Sequence, residues 1–180
     1  SQTIYSAVTS STQATFGNLV INNPTTVQLL SNVNCAGNLT IQQGTFDQNN
    51  YLANRTAAGG TISMSSGTYL TAGNGMPNNF TSGSFSTNST VVFNGTTTET
   101  IPAFNYYNLT SSSSGDRILA STGTIGIAGT FTPGTNNYTI TGSTIDFNGT
   151  GNQTINAFNY HNLTVSGART TNSVTYSSSG

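Results

Sequence analysis

An internal repeat constrains the fold of this chain more than any other feature of the sequence. The segment STVVFNGTTTETIPAFNYYNLT at residues 89–110 returns as STIDFNGTGNQTINAFNYHNLT at residues 143–164, which is 54 residues later. A repeat of this length is typical of an array in which each unit buries its apolar side against its neighbours. The sequence therefore predicts a stacked architecture before it indicates any chemistry.

The differences between the two copies show which positions require apolar side chains. Those that stay apolar are Val91 and Ile145, Phe93 and Phe147, Ile101 and Ile155, Phe104 and Phe158, and Leu109 and Leu163. Val92 becomes Asp146 and Tyr107 becomes His161, so these two positions should face water. Apolar and tolerant positions alternate, as in a half-buried strand. We therefore expect aspartate at Ile155 or Leu163 to unfold the repeat.

Short strand candidates recur along the whole chain, separated by turn sequences such as Asn94-Gly95 and Pro133-Gly134. The candidates are residues 19–21, 27–30, 39–41, 61–64, 91–93, 100–101, 107–110, 117–120, 124–127, 138–141, 145–147, 154–155, 162–165 and 174–176. No stretch shows the apolar spacing of a helix. The pattern predicts an all-β fold, a parallel β-helix or β-solenoid with two or three coils in each 54-residue unit. A β-sandwich subunit that receives a donated strand is the alternative.

The chain is interpreted as a single continuous all-β body with three parts. Residues 1–88 contain degenerate β-repeats, residues 89–142 one repeat unit, and residues 143–180 a partial unit. The segment Gln2, Thr3, Ile4 and Tyr5 lies near the start of the sequence, and its first three residues resemble the QTI that begins at Gln153. This segment is the candidate for strand donation to a neighbouring copy, because an open strand edge is a template for another chain.

Composition excludes several classes of partner. Only 4% of residues are charged, the net charge is −1 and lysine is absent. A chain without a basic patch is not suited to bind nucleic acid. It also lacks a polybasic segment for anionic lipid and an apolar run long enough to insert into a membrane.

The ionisable residues show no catalytic or metal-binding pattern. They are Asp47, Glu99, Asp116, Asp146, His161, Arg55, Arg117 and Arg169. Glu99 aligns with Gln153 and Asp146 with Val92, so we expect solvated surface positions for both carboxylates rather than a glycosidase pair. Calcium-loop, zinc and nucleophile-elbow spacings are missing. The prediction is a non-enzymatic protein with no catalytic residue, metal or cofactor. Cys35 is expected to be a small buried hydrophobe, with an intermolecular disulfide as the alternative.

Ten Asn-x-Thr triplets are candidate N-glycosylation sites in a host with that pathway. They begin at Asn38, Asn54, Asn79, Asn88, Asn94, Asn108, Asn137, Asn148, Asn152 and Asn162. Such a glycan coat would help a weakly charged surface to remain soluble.

The phrases FNGTGNQTINAFNYHNLTVSGART and GTIGIAGTFTPGTNNYTITGSTIDFNG resemble tandem repeats of large secreted adhesin-like surface proteins, frequent in Bacteroidetes. The pattern there is FNG-x-x-x-QTI-x-x-x-x-YNNLT, followed by GxIxIxGxFxxG. The resemblance covers residues 89–176 and implies a secreted, surface-attached β-rich protein. It transfers no catalytic or ligand residue, because its positions are strand and turn positions. Members of that group tend to be far longer, and residues 1–88 here match only loosely.

These observations predict an extracellular structural protein at the cell surface. It would be a self-associating segment or subunit of a filament or adhesin stalk, assembled head to tail or with tandem neighbours. The alternative is a β-solenoid module that binds surface glycans or ice. Exposed aromatic rings at Tyr51, Tyr106, Tyr107 and Tyr160 would serve glycans, and the Thr-x-Thr segments would serve ice.

Overall fold

The computed structural model describes residues 2–4 and 13–177, and all strand pairing within them is parallel. The described residues form no helix, and the chain winds as a β-solenoid of about eight turns. The predicted all-β solenoid is therefore confirmed. None of the described residues belongs to a helix long and apolar enough to cross a membrane.

Most strands are short because each covers only one side of a turn, whereas the strands Leu19–Leu29 and Leu39–Asp47 continue around a corner and cover two sides. They are, in chain order, β1 (Gln2–Ile4), β2 (Ala14–Phe16), β3 (Leu19–Leu29), β4 (Val33–Cys35), β5 (Leu39–Asp47), β6 (Ala53–Arg55), β7 (Gly59–Met64), β8 (Tyr69–Thr71), β9 (Phe80–Phe85), β10 (Thr90–Phe93), β11 (Glu99–Ile101), β12 (Asn105–Tyr106), β13 (Asn108–Ser111), β14 (Arg117–Leu119), β15 (Ile125–Ile127), β16 (Phe131–Thr132), β17 (Tyr138–Thr139), β18 (Thr144–Phe147), β19 (Gln153–Ile155), β20 (Asn162–Val165) and β21 (Val174–Tyr176).

Strand pairing defines three faces around the solenoid axis. Face 1 contains β1, the second halves of β3 and β5, and then β8, β10, β13 and β16. Face 2 contains β2, β4 and β6, followed by β11, β14 and β17. Face 3 contains the first halves of β3 and β5, then β7, β9, β12, β15, β18 and β20. The remaining strands, β19 and β21, pair with each other and follow β18 and β20 in chain order, in the place that face 1 takes in earlier turns.

The length of one turn varies along the chain. Val91 pairs with Leu109, 18 residues on, whereas Gln2 pairs with Val27, 25 residues on. Most of this variation lies in the corners between faces, because the paired strand segments stay at two to four residues over much of the chain. Corners of different length give the solenoid an uneven outline.

The sequence repeat is not a whole number of turns. From β10 on face 1, two complete turns lead through β13 to β16, and two further sides lead to β18 on face 3. The 54-residue repeat therefore spans two and two-thirds turns, between the two and three coils that the sequence predicts. Equivalent strands of the two copies consequently lie on different faces of the solenoid.

The core is a column of inward-pointing side chains contributed by all three faces. Inner and outer positions alternate, as in β10, where Val91 and Phe93 are buried and their neighbours are partly exposed. Cys35 is fully buried in this column, as the sequence predicts, and burial raises the pKa of its thiol. Because one turn supplies only a few of these side chains, a single turn has no core of its own.

The prediction that Leu163 is a buried core residue is wrong. Leu109 is fully buried, but its copy Leu163 is 43% exposed. Leu163 lies on β20, the last described strand of face 3, and no described strand stacks beyond it. The same inward position is therefore covered in one copy and open in the other. The expectation that aspartate at Leu163 unfolds the repeat does not follow from this geometry, whereas Ile155 is buried.

The first strand, β1, pairs within its own chain. Gln2, Thr3 and Ile4 pair with Val27–Leu29 on face 1, and they form the first turn of the described solenoid. Tyr5, the fourth residue of the predicted donated segment, lies outside the described residues.

A matched pair of leucines tests the stacked core. We expect Leu109→Ala to lower the free energy of unfolding by about 2–5 kcal/mol, because it leaves a cavity in the column. The same change at Leu163, already 43% exposed, should cost about 1 kcal/mol or less. Urea unfolding followed by far-ultraviolet circular dichroism measures both. Equal shifts of the two midpoints would show that the two copies share one environment.

Candidate functional site

The most concentrated chemistry in the molecule is a buried cluster where the chain passes from face 1 to face 2. Glu99 is 3% exposed, and its carboxylate lies 3.2 Å from Nη1 of the fully buried Arg117. The backbone N–H groups of Gly75 and Gly95 donate to Oε1 and Oε2 of Glu99 at 2.7 and 2.9 Å. One carboxylate therefore joins residues from three successive turns.

Arg117 satisfies backbone carbonyl groups around the same corner. Its Nη2 donates to Phe93 and Ser112 at 3.0 and 2.7 Å, and its Nη1 donates to Gly115 at 2.7 Å. Arginine suits this position because its planar fork of N–H groups reaches several acceptors at once. The pair therefore neutralises a buried charge and also supplies donors and acceptors to a corner that lacks strand pairing.

The predicted solvated position of Glu99 is therefore wrong. Burial raises the pKa of Glu99, while the N–H of Gly95, the charge of Arg117 and the N–H of Gly75 lower it. Alignment with Gln153 suggested a position that needs no charge. Both residue types provide the buried acceptor that this position needs, and Glu99 also provides the counter-charge for the fully buried Arg117.

The second copy fills the same position with a different hydrogen-bond pattern. Gln153 Oε1 accepts from Gly149 N–H at 3.0 Å and from the Arg169 guanidinium. Its Nε2 donates to the carbonyl groups of Ile127 and Gly129 at 2.9 and 3.0 Å. The Gln153 amide thus both accepts and donates hydrogen bonds, whereas the Glu99 carboxylate only accepts them. Each copy has a glutamate or glutamine with a following arginine, a constellation that sequence inspection missed.

The other ionisable residues are dispersed over the surface. Asp47 accepts from Gln28, Asp116 from Asn137, and Asp146 from Ser166. His161 is exposed, as expected, and Asp146 is half-buried. Among residues 2–4 and 13–177, no three His, Cys, Asp or Glu side chains are grouped to hold a metal ion.

Asparagine side chains connect successive turns at the corners. Asn18 Oδ1 accepts from the backbone N–H of Asn38 at 2.8 Å, and Asn38 Oδ1 accepts from that of Thr61 at 3.0 Å. Eight of the ten candidate glycosylation residues have side chains that hydrogen-bond to another turn, namely Asn38, Asn54, Asn79, Asn108, Asn137, Asn148, Asn152 and Asn162. Asn94 has a buried, unpaired Oδ1, and Asn88 is exposed. The abundant asparagine thus has a structural role, and glycosylation stays a prediction.

Tyrosines close another set of corners. The hydroxyl groups of Tyr106 and Tyr160 donate to the carbonyl four residues earlier, at Pro102 and Asn156, over 3.0 and 3.2 Å. Tyr138 donates to Pro133 at 3.0 Å. Tyr106 is only 1% exposed, so the expectation of an exposed ring there is wrong. In each repeat the tyrosine of the FNY segment reaches back to the preceding corner, where its hydroxyl satisfies a backbone carbonyl.

The threonines do not form a regular rank on face 1. The outward positions of four successive strands are occupied by Thr71, Val92, Thr110 and Thr132. A valine interrupts this rank, which agrees with ordinary strand threonine rather than a flat ice-binding array.

Comparison with known protein families, with curated proteins and with solved structures found no match to this chain. The resemblance to adhesin-like repeats therefore remains a prediction from the sequence.

The buried ion pair predicts a specific sensitivity. Glu99→Gln leaves Arg117 without a counter-charge and one glycine N–H without an acceptor, so we expect a loss of about 3–5 kcal/mol in unfolding free energy. Asp116→Asn removes the same charge from an exposed neighbour and should change stability by about 0.5 kcal/mol or less. Urea midpoints at neutral pH compare the two variants. A Glu99→Gln protein as stable as Asp116→Asn would refute the clamp.

The tyrosine corners predict a loss of stability at alkaline pH. Burial raises the pKa of Tyr106 well above its usual value and also raises that of Tyr138. Burial, with Tyr176 nearby, raises the pKa of Tyr160 to about 12. A raised acid pKa means that the folded state holds more protons, so stability is full below the unfolded value of about 10 and falls as pH rises towards 12. We expect the urea midpoint to fall over this window and Tyr160→Phe to reduce the slope; a flat midpoint would contradict the account.

Proposed function

We propose that this chain is a non-enzymatic, extracellular structural protein, a self-associating segment of a cell-surface filament or adhesin stalk. In this role its solenoid turns continue into the turns of a neighbour, which is either a second copy or a tandem unit of the same kind. The rest of the surface then serves as the wall of a long, rigid fibre.

The observation that carries this proposal is the open edge of the solenoid. Strands in the middle of face 1, such as β10 and β13, are paired on both sides, whereas among the described residues β1 pairs only with β3 and β20 only with β18. Inward-type apolar side chains are exposed at the second edge, where Leu163 and Val165 are 43% and 46% exposed and Tyr176 is 65% exposed. An unpaired edge with apolar side chains behind it is a template for a further strand.

The weak charge of the chain supports close association. With 4% charged residues and a net charge of −1, copies approach each other without the repulsion that keeps many surfaces apart. Head-to-tail contact between unlike edges does not close on itself, so it produces a filament rather than a dimer.

Imaging by electron microscopy tests the proposal. We expect native material, or concentrated purified chain, to form filaments with a subunit repeat that matches this solenoid. Deleting residues 1–9, which include β1, should abolish assembly while circular dichroism still reports a folded subunit. Unchanged filaments after this deletion would end the proposal.

Matched surface variants control for a general change in solubility. Replacing Leu163 and Val165 with serine removes apolar area at the open edge and should prevent filament growth. Replacing Val20 and Ile118, which are 49% and 37% exposed on the flanks, should leave assembly unchanged. Equal effects of the two pairs would indicate nonspecific association.

A further inference from the structure

A groove crosses four successive turns at the corner between face 3 and face 1. This corner groove is lined by residues 85–88, 107–108, 128–130 and 148–152. Its extent along the axis is roughly 14 Å, from three strand spacings of about 4.8 Å. The groove lies on the side of the solenoid, and its existence does not depend on how the ends associate.

The groove results from corners of unequal length. Four residues, 86–89, connect β9 to β10, and five residues, 148–152, connect β18 to β19. Between them, Tyr107 alone connects β12 to β13, and three residues, 128–130, connect β15 to β16. The shorter corners therefore lie between the longer ones, which form the walls, and Tyr107 lines the groove between these walls.

The Tyr107 ring packs against Gly129, which has no side chain to displace it. Its Cδ1 and Cε1 atoms lie 2.8 and 2.7 Å from the position that a Cβ of Gly129 would occupy. Asn108 borders the same space, and its Oδ1 accepts from the Thr130 N–H at 3.0 Å and from the Thr130 hydroxyl at 2.9 Å. The ring is thus packed on the backbone of the next turn before any ligand binds, which limits the entropy lost on binding.

The walls offer neutral hydrogen-bonding groups. Asn88 is exposed and its amide makes no hydrogen bond within the described residues. Asn152 Oδ1 accepts from the Ser173 N–H at 2.9 Å, which leaves its Nδ2 as a donor. Thr87 and Thr150 add hydroxyl groups, and no lining residue is charged.

We propose that the corner groove binds an extended, uncharged polysaccharide chain. A pyranose ring presents one apolar C–H face, which the Tyr107 ring can cover, and an edge of hydroxyl groups, which amides and hydroxyls on the walls can bind. The elongated shape over four turns fits a polymer better than a compact small molecule. The absence of lining charge disfavours uronic-acid and sulfated polymers. This role is additional to the structural function and does not rest on it.

Affinity gel electrophoresis tests the inference with defined polymers. The purified full-length chain, prepared in a host that adds no N-glycans, is run at low concentration in native gels that contain β-glucan, xylan or mannan. Parallel gels contain alginate or polygalacturonate. Light scattering checks that the protein is monomeric, so retardation cannot come from filaments. We expect retardation by at least one neutral polymer and none by the anionic polymers.

Three variants locate the binding. Tyr107→Ala should weaken binding by about tenfold, as expected for truncating a central aromatic contact. Gly129→Ala should do the same by displacing the ring, while Tyr107→Phe should retain most of the affinity. Tyr69→Ala removes a 47% exposed tyrosine outside the groove and should have no effect. No retardation by any neutral polymer, retardation only by anionic ones, or equal affinity of Tyr107→Ala and the parent chain would overturn the inference.

Discussion

Parallel backbone pairing between successive turns is the interaction on which the rest of this structure depends. A turn of 18 to 25 residues contributes only a few inward side chains, such as Val91 and Phe93, so a single turn cannot form a hydrophobic core by itself. Stacking aligns these side chains into one column and pairs the strands on both sides. The open edges, the fibre proposal and the difference between Leu109 and Leu163 all follow from the same constraint.

The corners are the least favourable part of this architecture in free energy, because strand pairing stops there and the backbone N–H and C=O groups still need hydrogen-bond partners. The chain supplies these partners with asparagine amides, inward tyrosine hydroxyls and the Glu99–Arg117 pair. The unusual composition is thus an outcome of the fold. It also shapes the surface, since the single-residue corner at Tyr107 leaves a groove between longer corners.

The all-β class, the solenoid and most strand positions after residue 90 could be predicted, because alternation along Val91–Phe93 and the repeat are local signals. In the degenerate first half, β2, β4, β6, β8 and β9 have no counterpart among the predicted strands. Other features depend on where a turn closes, which local patterns do not encode. Thus the repeat spans two and two-thirds turns, and Leu163 lies at an edge. The sequence predicts a solvated position for Glu99 because its copy, Gln153, is uncharged. The two residues instead share a role as buried hydrogen-bond acceptors at a corner. The groove was not predicted, because it depends on corner lengths in four neighbouring turns.

Disulfide trapping of register partners tests the central claim, a parallel solenoid with turns of unequal length. Thr110 and Thr132 are partners on adjacent strands of face 1, 22 residues apart, and both point outward. With Cys35 replaced by alanine, cysteines at 110 and 132 should form an intramolecular disulfide readily, since neighbouring strands lie within bonding range. Cysteines at 110 and 128, the partners in a uniform 18-residue coil, should not. Rapid oxidation of the 110–128 pair, with the 110–132 pair remaining reduced, would contradict the account.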